Sequence, residues 1–136
     1  MKALKLLVIV ALIYVGIVAL FESLLGYFQP AGDYTMRIIT TDDDDDEHPR
    51  VVAKLVSNGK LYAAANHWPR AWYHQALAHP EVEVTIGDET DDYLAVPVSG
   101  PEHERVDSEH PLGLGFRILT GFPPRYFVRL DPRQDD

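Results

Sequence analysis

The sequence predicts a mainly β (α+β) fold, a small antiparallel barrel of about six strands with one main helix, preceded by an N-terminal transmembrane helix. Three observations predict it. Short β-type runs recur with turn residues between them, the signature of an all-antiparallel barrel or sandwich. Only one stretch, residues 70–79, has a clear helical period, and one helix cannot cover two sheet faces, which favours a barrel. The segment 6–21, LLVIVALIYVGIVALF, carries no charge at all.

From Ala3 to Phe21, with only Lys5 interrupting, the apolar run matches the ~20 residues that cross a bilayer. A buried core helix would show a polar stripe, and none is present. A cleaved signal peptide is the rival reading, since Lys2 and Lys5 precede the apolar stretch. No small-x-small cleavage site stands out, because bulky Ile17 lies two residues before Ala19. Lys2 and Lys5 before the span, and Glu22 and Asp33 after it, place the N-terminus inside and the domain outside. Residues 1–30 form the membrane anchor and 31–136 the barrel domain, with the breakers Pro30, Gly32 and Asp33 between them.

Residues 36–41 (MRIITT) and 51–56 (VVAKLV) read as the first two strands, joined by the acidic stretch. Asn58-Gly59 favours a type I′ hairpin, whose central residues both need positive φ, and 61–66 (LYAAAN) return from it. Pro69 can open a helix where its missing N–H costs nothing. Trp72, Tyr73, Ala76 and Leu77 then share one face, and Pro80 ends the helix. Residues 81–86 (EVEVTI) alternate, with Val82, Val84 and Ile86 inward. Residues 92–98 run back, with Pro97 marking an edge or a bulge. Residues 101–111 form a short helix at most, 113–124 read as irregular, and 125–130 (RYFVRL) supply the last strand.

Net charge is −9. Residues 31–136 carry ten basic and twenty acidic side chains, a net −10 that repels phosphate backbones and argues against a nucleic-acid partner. The absence of cysteine removes disulfides, thiolate metal sites and cysteine nucleophiles.

The stretch at 51–87 resembles the deazaflavin-dependent nitroreductase and quinone reductase family, small split β-barrels related to flavin-binding folds. The residues that carry the likeness are Pro69, Trp72, Tyr73, Gln75, Pro80, Val82 and Val84, and the tail YFVRLDP at 126–132 resembles the family's last strand. The resemblance covers roughly residues 36–132 and implies a split β-barrel, a homodimer, and a deazaflavin (coenzyme F420) or FMN cofactor. It further implies hydride transfer to a nitro compound or a quinone, a lipid-soluble one given the anchor. Two positions depart from it. The family's basic turn, which holds cofactor phosphate, is replaced by the acids at 42–47, and its helix asparagine by Gln75.

A cofactor ring would lie beside the end of strand 61–66 and the start of the helix, with Asn66, His67, Trp68, Arg70, Trp72, Tyr73 and Gln75 as its binding residues. A flat ring needs an apolar or aromatic wall, and its phosphate needs cations or free helix N–H groups. Trp72 and Tyr73 also read as core anchors, whereas Trp68 and Arg70 do not fit the apolar face. Hydride transfer needs orientation more than protein acids and bases. No motif identifies a catalytic residue among the available proton donors Tyr62, Tyr73 and Tyr126.

No metal site is read. His67, His74 and His79 are spaced by seven and five residues, and the acidic stretch lacks the glycine a calcium loop turns on. The acids at 42–47 read as a solvated loop whose mutual repulsion raises aspartate pKa values. By repelling an anionic cofactor they also support a second reading, a non-catalytic split-barrel binding module that has lost its cofactor.

Overall fold

The computed structural model describes residues 1–29, 31–68 and 70–134; the roles expected of Pro30 and Pro69 lie outside the described residues. An apolar helix, α1 (Lys2–Phe28), leads into six strands and three further helices. In chain order these are β1 (Thr35–Thr41), β2 (Glu47–Ser57), β3 (Lys60–Ala65), α2 (Ala71–Ala78), β4 (Glu81–Ile86), β5 (Glu89–Pro97), α3 (Gly100–Glu109), α4 (Leu114–Leu119) and β6 (Tyr126–Pro132). The strands close into an antiparallel barrel in the order β1-β2-β3-β6-β5-β4, with β4 returning to β1.

Closure leaves no free edge, and the side-chain period of two decides what fills the inside. Met36, Ile38, Val52, Ala63, Ala65, Val82, Val84, Ala95, Val128 and Leu130 form the interior core, joined by Trp72 and Ala76 from α2. The opposite face of β3 is buried as well. Tyr62 and Ala64 pack with Val98, Val106 and Phe127 beneath α3. The run Tyr-Ala-Ala-Ala is therefore buried throughout because each of its faces meets a different layer.

The Asn58-Gly59 turn has φ of 50° and 73°, as a type I′ hairpin requires. Pro97 closes β5 at its pairing with Val128 rather than lying on an edge strand. On α2, Trp72 and Ala76 are buried, Tyr73 is half-buried and Leu77 is exposed. On β4, Val82 and Val84 are buried and Ile86 is half-buried.

Two helices exceed the sequence reading. α3 has ten residues, with proline in its first turn, where no N–H is missed. α4 occupies the segment expected to be irregular. It ends in a Schellman cap: Gly121 N–H donates to Ile118 O at 3.2 Å and Phe122 N–H to Arg117 O at 2.9 Å. Gly121 (φ 76°) supplies the left-handed turn, and the Arg117 guanidinium lies 5.5 Å from the Phe122 ring centroid.

α1 is tied to the barrel through its second half. Tyr14 OH donates to Ile118 O (2.8 Å), Phe21 meets Phe116 edge-on at 6.0 Å, and Val51 N–H donates to Gln29 Oε1 (3.1 Å). Glu22, the one buried residue of α1, lies 2.9 Å from His67 Nδ1 through Oε2.

Candidate functional site

β3 delivers Ala64, Ala65, Asn66 and His67 to one place, and α2 brings Trp72 to meet them. With Val51, Val52 and Ala53 of β2 they line a cavity of about 240 Å³. Leu25 of α1 and Gln29 at its C-terminal cap cover it on one side, and Leu112 and Phe116 on another. Its walls are mainly aliphatic and aromatic, with polar atoms from Asn66, His67, Gln29 and Arg50. An adjoining cavity of about 510 Å³ shares Asn66 and Leu112 and is more polar, with His103, Asp107, Arg117 and Arg125 in its lining.

The seven residues expected to bind a cofactor separate into three groups. Asn66, His67 and Trp72 face the smaller cavity. Asn66 Oδ1 accepts from Arg125 Nε at 3.0 Å, and Arg125 is held in turn by Asp107 at 2.7 Å. His67 sits between the Glu22 carboxylate and the Phe116 ring, whose centroid is 6.2 Å away.

Trp68, Arg70 and Tyr73 make a second assembly with Tyr126. The Arg70 guanidinium is sandwiched between the Trp68 ring (4.4 Å) and the Tyr126 ring (4.7 Å), and Tyr126 stacks on Tyr73 at 5.2 Å. Arg70 is only 4% exposed and donates Nη2 to Pro124 O. Its Nε and Nη1 have no partner among the described residues. Burial lowers its pKa from the ordinary arginine value, against the opposing pull of Tyr126 and Glu22. It is thus a buried cation in an aromatic clamp, where the sequence suggested a cation open to a phosphate.

Gln75 belongs to neither group. Its Oε1 accepts from the buried Thr40 hydroxyl at 2.7 Å, tying α2 to β1. Of the three tyrosines with a proton to give, Tyr62 is engaged elsewhere. It donates to Glu102 (2.8 Å) and receives Arg105 Nη2 (3.2 Å) under α3, and burial raises its pKa first, with Glu102 adding to the shift.

The acidic stretch is an ordered turn. Asp42 Oδ1 accepts the N–H groups of Asp44 (2.9 Å) and Asp46 (3.1 Å), Oδ2 lies 2.7 Å from His48 Nε2, and Asp45 takes φ 62°. Glu47 already belongs to β2, opposite Thr41. The expectation that crowding raises these aspartates is reversed at Asp42, whose pKa is lowered, first by His48 and then by the Asp46 N–H. Directed hydrogen bonds to the charged form outweigh the diffuse repulsion of neighbours in water. His79 Nε2 reaches Asp43 Oδ1 at 2.9 Å, so α2 leans on the same turn.

Sequence reasoning missed three contributors: Glu22, Gln29 and Phe116. Glu22 had a signal, as an acid ending an uncharged run of helix. The other two reach the site only through the packing of α1 and α4.

The closed six-stranded barrel, with α2 following β3, defines a split β-barrel. More particularly, the F420H(2)-dependent quinone reductase family model matches residues 48–110, the span from β2 to the end of α3. This bears out the resemblance carried by residues 51–87. Among solved structures, an F420-H2-dependent reductase is 20% identical over 70% of this chain and 93% of its own, with a TM-score of 0.51. The heme storage protein HutZ of Vibrio cholerae is 16% identical over 76% of this chain and 84% of its own, TM-score 0.57. A structure described as a domain-swapped dimer is 20% identical over 74% of this chain and 82% of its own, TM-score 0.59. At these identities the solved structures establish the fold. No curated protein matches the chain.

Proposed function

We propose that this protein is a membrane-anchored reductase that binds a deazaflavin or flavin ring in the β3–α2 cavity and passes a hydride to a quinone or nitro compound. The observation that carries this reading is the cavity itself. It lies at the end of β3 and the start of α2, it has an apolar wall of Ala53, Ala64, Ala65 and Trp72, and the part of its lining from Arg50 to Trp72 falls inside the matched residues 48–110. At about 240 Å³ it is below the ~300–1,000 Å³ of a site enclosing a whole ligand, so it suits a ring rather than an entire cofactor.

The residues present fit the ring and fit the phosphate poorly, because the β1–β2 turn is acidic. A reduced deazaflavin or flavin bound there would supply the hydride. The chain's own residues orient the ring against Trp72, exclude water with Leu25, Leu112 and Phe116, and offer polar atoms from Asn66 and His67 to the acceptor's oxygens. α1 has 27 residues, and an 18-residue window within it has a mean hydropathy of 2.8, so it is long and apolar enough to cross a membrane. Lys2 and Lys5 put its start inside and the barrel outside. A homodimer is part of this reading, supported by the domain-swapped relative.

The second reading, a split-barrel binding module without a cofactor, is favoured by one observation: Asp42 and its neighbours stand where the family carries cations. Titration of the purified protein with coenzyme F420 and with FMN separates the two. Spectral change with either supports the reductase, and none with either at high micromolar concentration supports the module.

A further inference from the structure

α4 is a six-residue helix on the outside of the barrel. It buries none of its residues, and Leu114 (64% exposed), Ile118, Leu119 and Phe122 all point outward. It is docked on α1, at Tyr14, Val18 and Phe21. Those contacts fall on the last two turns of the uncharged run 6–21, roughly 10 Å of helix at 1.5 Å per residue. If α1 crosses a bilayer, α4 lies at the depth of ~5–10 Å that interfacial helices occupy.

Two independent features fit that place. The first is hydrogen bonding: in lipid, exposed backbone groups must find partners within the protein. At the C-terminal end of α4 they do. Ile118 O accepts from Tyr14 OH, Phe116 O accepts from Thr120 Oγ1 at 2.8 Å, and the Schellman pair takes Arg117 O and Ile118 O. The second is charge. In a chain of net −9, residues 111–130 contain no acid and three arginines, Arg117, Arg125 and Arg129. Arg117 sits on α4 itself, exposed beside Phe122, where a cation meets lipid phosphate. Elsewhere the acidic surface repels such a layer.

We infer that α4 is a second membrane-embedded element, its Leu114–Ile118–Leu119–Phe122 face lying in the acyl chains beside α1 and Arg117 at the headgroups. The inference rests on α1 being a membrane span. It gives the β3–α2 cavity a specific entrance, because Phe116 and Leu112 of this segment form one of its walls together with Leu25 of α1. A lipid-soluble acceptor then reaches the cavity from the bilayer between α1 and α4, without crossing water.

The chain has no cysteine, so single cysteines can carry a nitroxide at chosen points. Full-length Leu114→Cys, Ile118→Cys, Val10→Cys and Asn58→Cys proteins are labelled and reconstituted into phosphatidylcholine–phosphatidylglycerol vesicles. Collision with oxygen, which concentrates in lipid, is compared with collision with a water-soluble nickel chelate. The inference predicts oxygen-dominated relaxation at 10, 114 and 118 and nickel-dominated relaxation at 58. Water-like labels at 114 and 118 with a lipid-like label at 10 overturn it while leaving the anchor intact. Labels at 114 and 118 shielded from both reagents overturn it in favour of a second copy of the chain. A water-like label at 10 removes the membrane reading and the inference with it.

Discussion

Glu22 Oε2 lies 2.9 Å from His67 Nδ1, joining the end of the apolar helix to the wall of the candidate cavity. Glu22 is buried, and its Oε1 has no partner among the described residues, so the carboxylate depends on this one contact. His67→Ala strands it. The expected cost is about 1–3 kcal/mol of stability, because a buried carboxyl group then lacks its hydrogen bond. Glu22→Gln/His67→Ala should recover part of that loss. Denaturant unfolding of the single and double variants measures both, and additive losses would show that the pair is not coupled.

Asp42 organises the β1–β2 turn, and its folded pKa is lowered by His48 and two backbone N–H groups. A lowered carboxylate stabilises the fold above its unfolded value of about 3.9 and loses that contribution as pH falls through the folded value. Asp42→Asn should therefore weaken the protein at neutral pH and match the wild type in strong acid. Thermal unfolding across the acid range checks this; an equal deficit at both ends would contradict it.

The sequence made the barrel legible through local signals. Asn58-Gly59 announced its hairpin, the alternation of 81–86 set the register of β4, and Pro80 marked the end of α2. α4 was not legible, because Gly113, Gly115 and the two prolines at 123 and 124 masked a helix whose stop signal, Gly121, was present. The site was half legible for a related reason. Asn66, His67 and Trp72 follow from the local strand-to-helix step, whereas Glu22 and Phe116 arrive by long-range packing. Arg70 looked exposed because charge argues for solvent, and only the Trp68–Tyr126 clamp accounts for its burial.

α3 is fastened to the barrel by Tyr62, Arg105, Glu102 and Arg129. Glu102 accepts from Tyr62 OH and from Arg129 at 3.0 Å, and its pKa is lowered, chiefly by Tyr62. Tyr62→Phe removes the hydroxyl shared by Glu102 and Arg105 and should cost about 1–2 kcal/mol at neutral pH. With Glu102 lowered in the folded state, that loss shrinks as pH drops through the carboxylate range. Comparing urea midpoints of the two proteins at neutral and acidic pH tests it, and a pH-independent difference would assign the effect to packing alone.

A Cβ at Gly121 would stand 3.3 Å from Val18 Cγ1 in a backbone of φ 76°. Gly121→Ala should cost about 1–2 kcal/mol for the left-handed conformation and push α4 away from α1. Amide exchange at 114–122 reports the loosening as faster deuterium uptake there than in β4. Unchanged uptake would mean that α4 is held by the barrel alone.

The central claim is that the β3–α2 cavity receives a flavin-type ring, and a titration with a cavity-filling control tests it most directly. Ala53 is half-buried, lines the cavity on β2 and packs against the cluster beneath α3, so Ala53→Leu places three extra carbons on that wall outside the barrel's interior core. Full-length protein is titrated with coenzyme F420 and FMN, following cofactor absorbance and tryptophan emission. The account predicts saturable binding of at least one cofactor by the wild type, with affinity falling by about tenfold or more, roughly 1.4 kcal/mol, in Ala53→Leu. Saturable binding that Ala53→Leu leaves unchanged would contradict the location, and no binding at high micromolar concentration would contradict the claim itself.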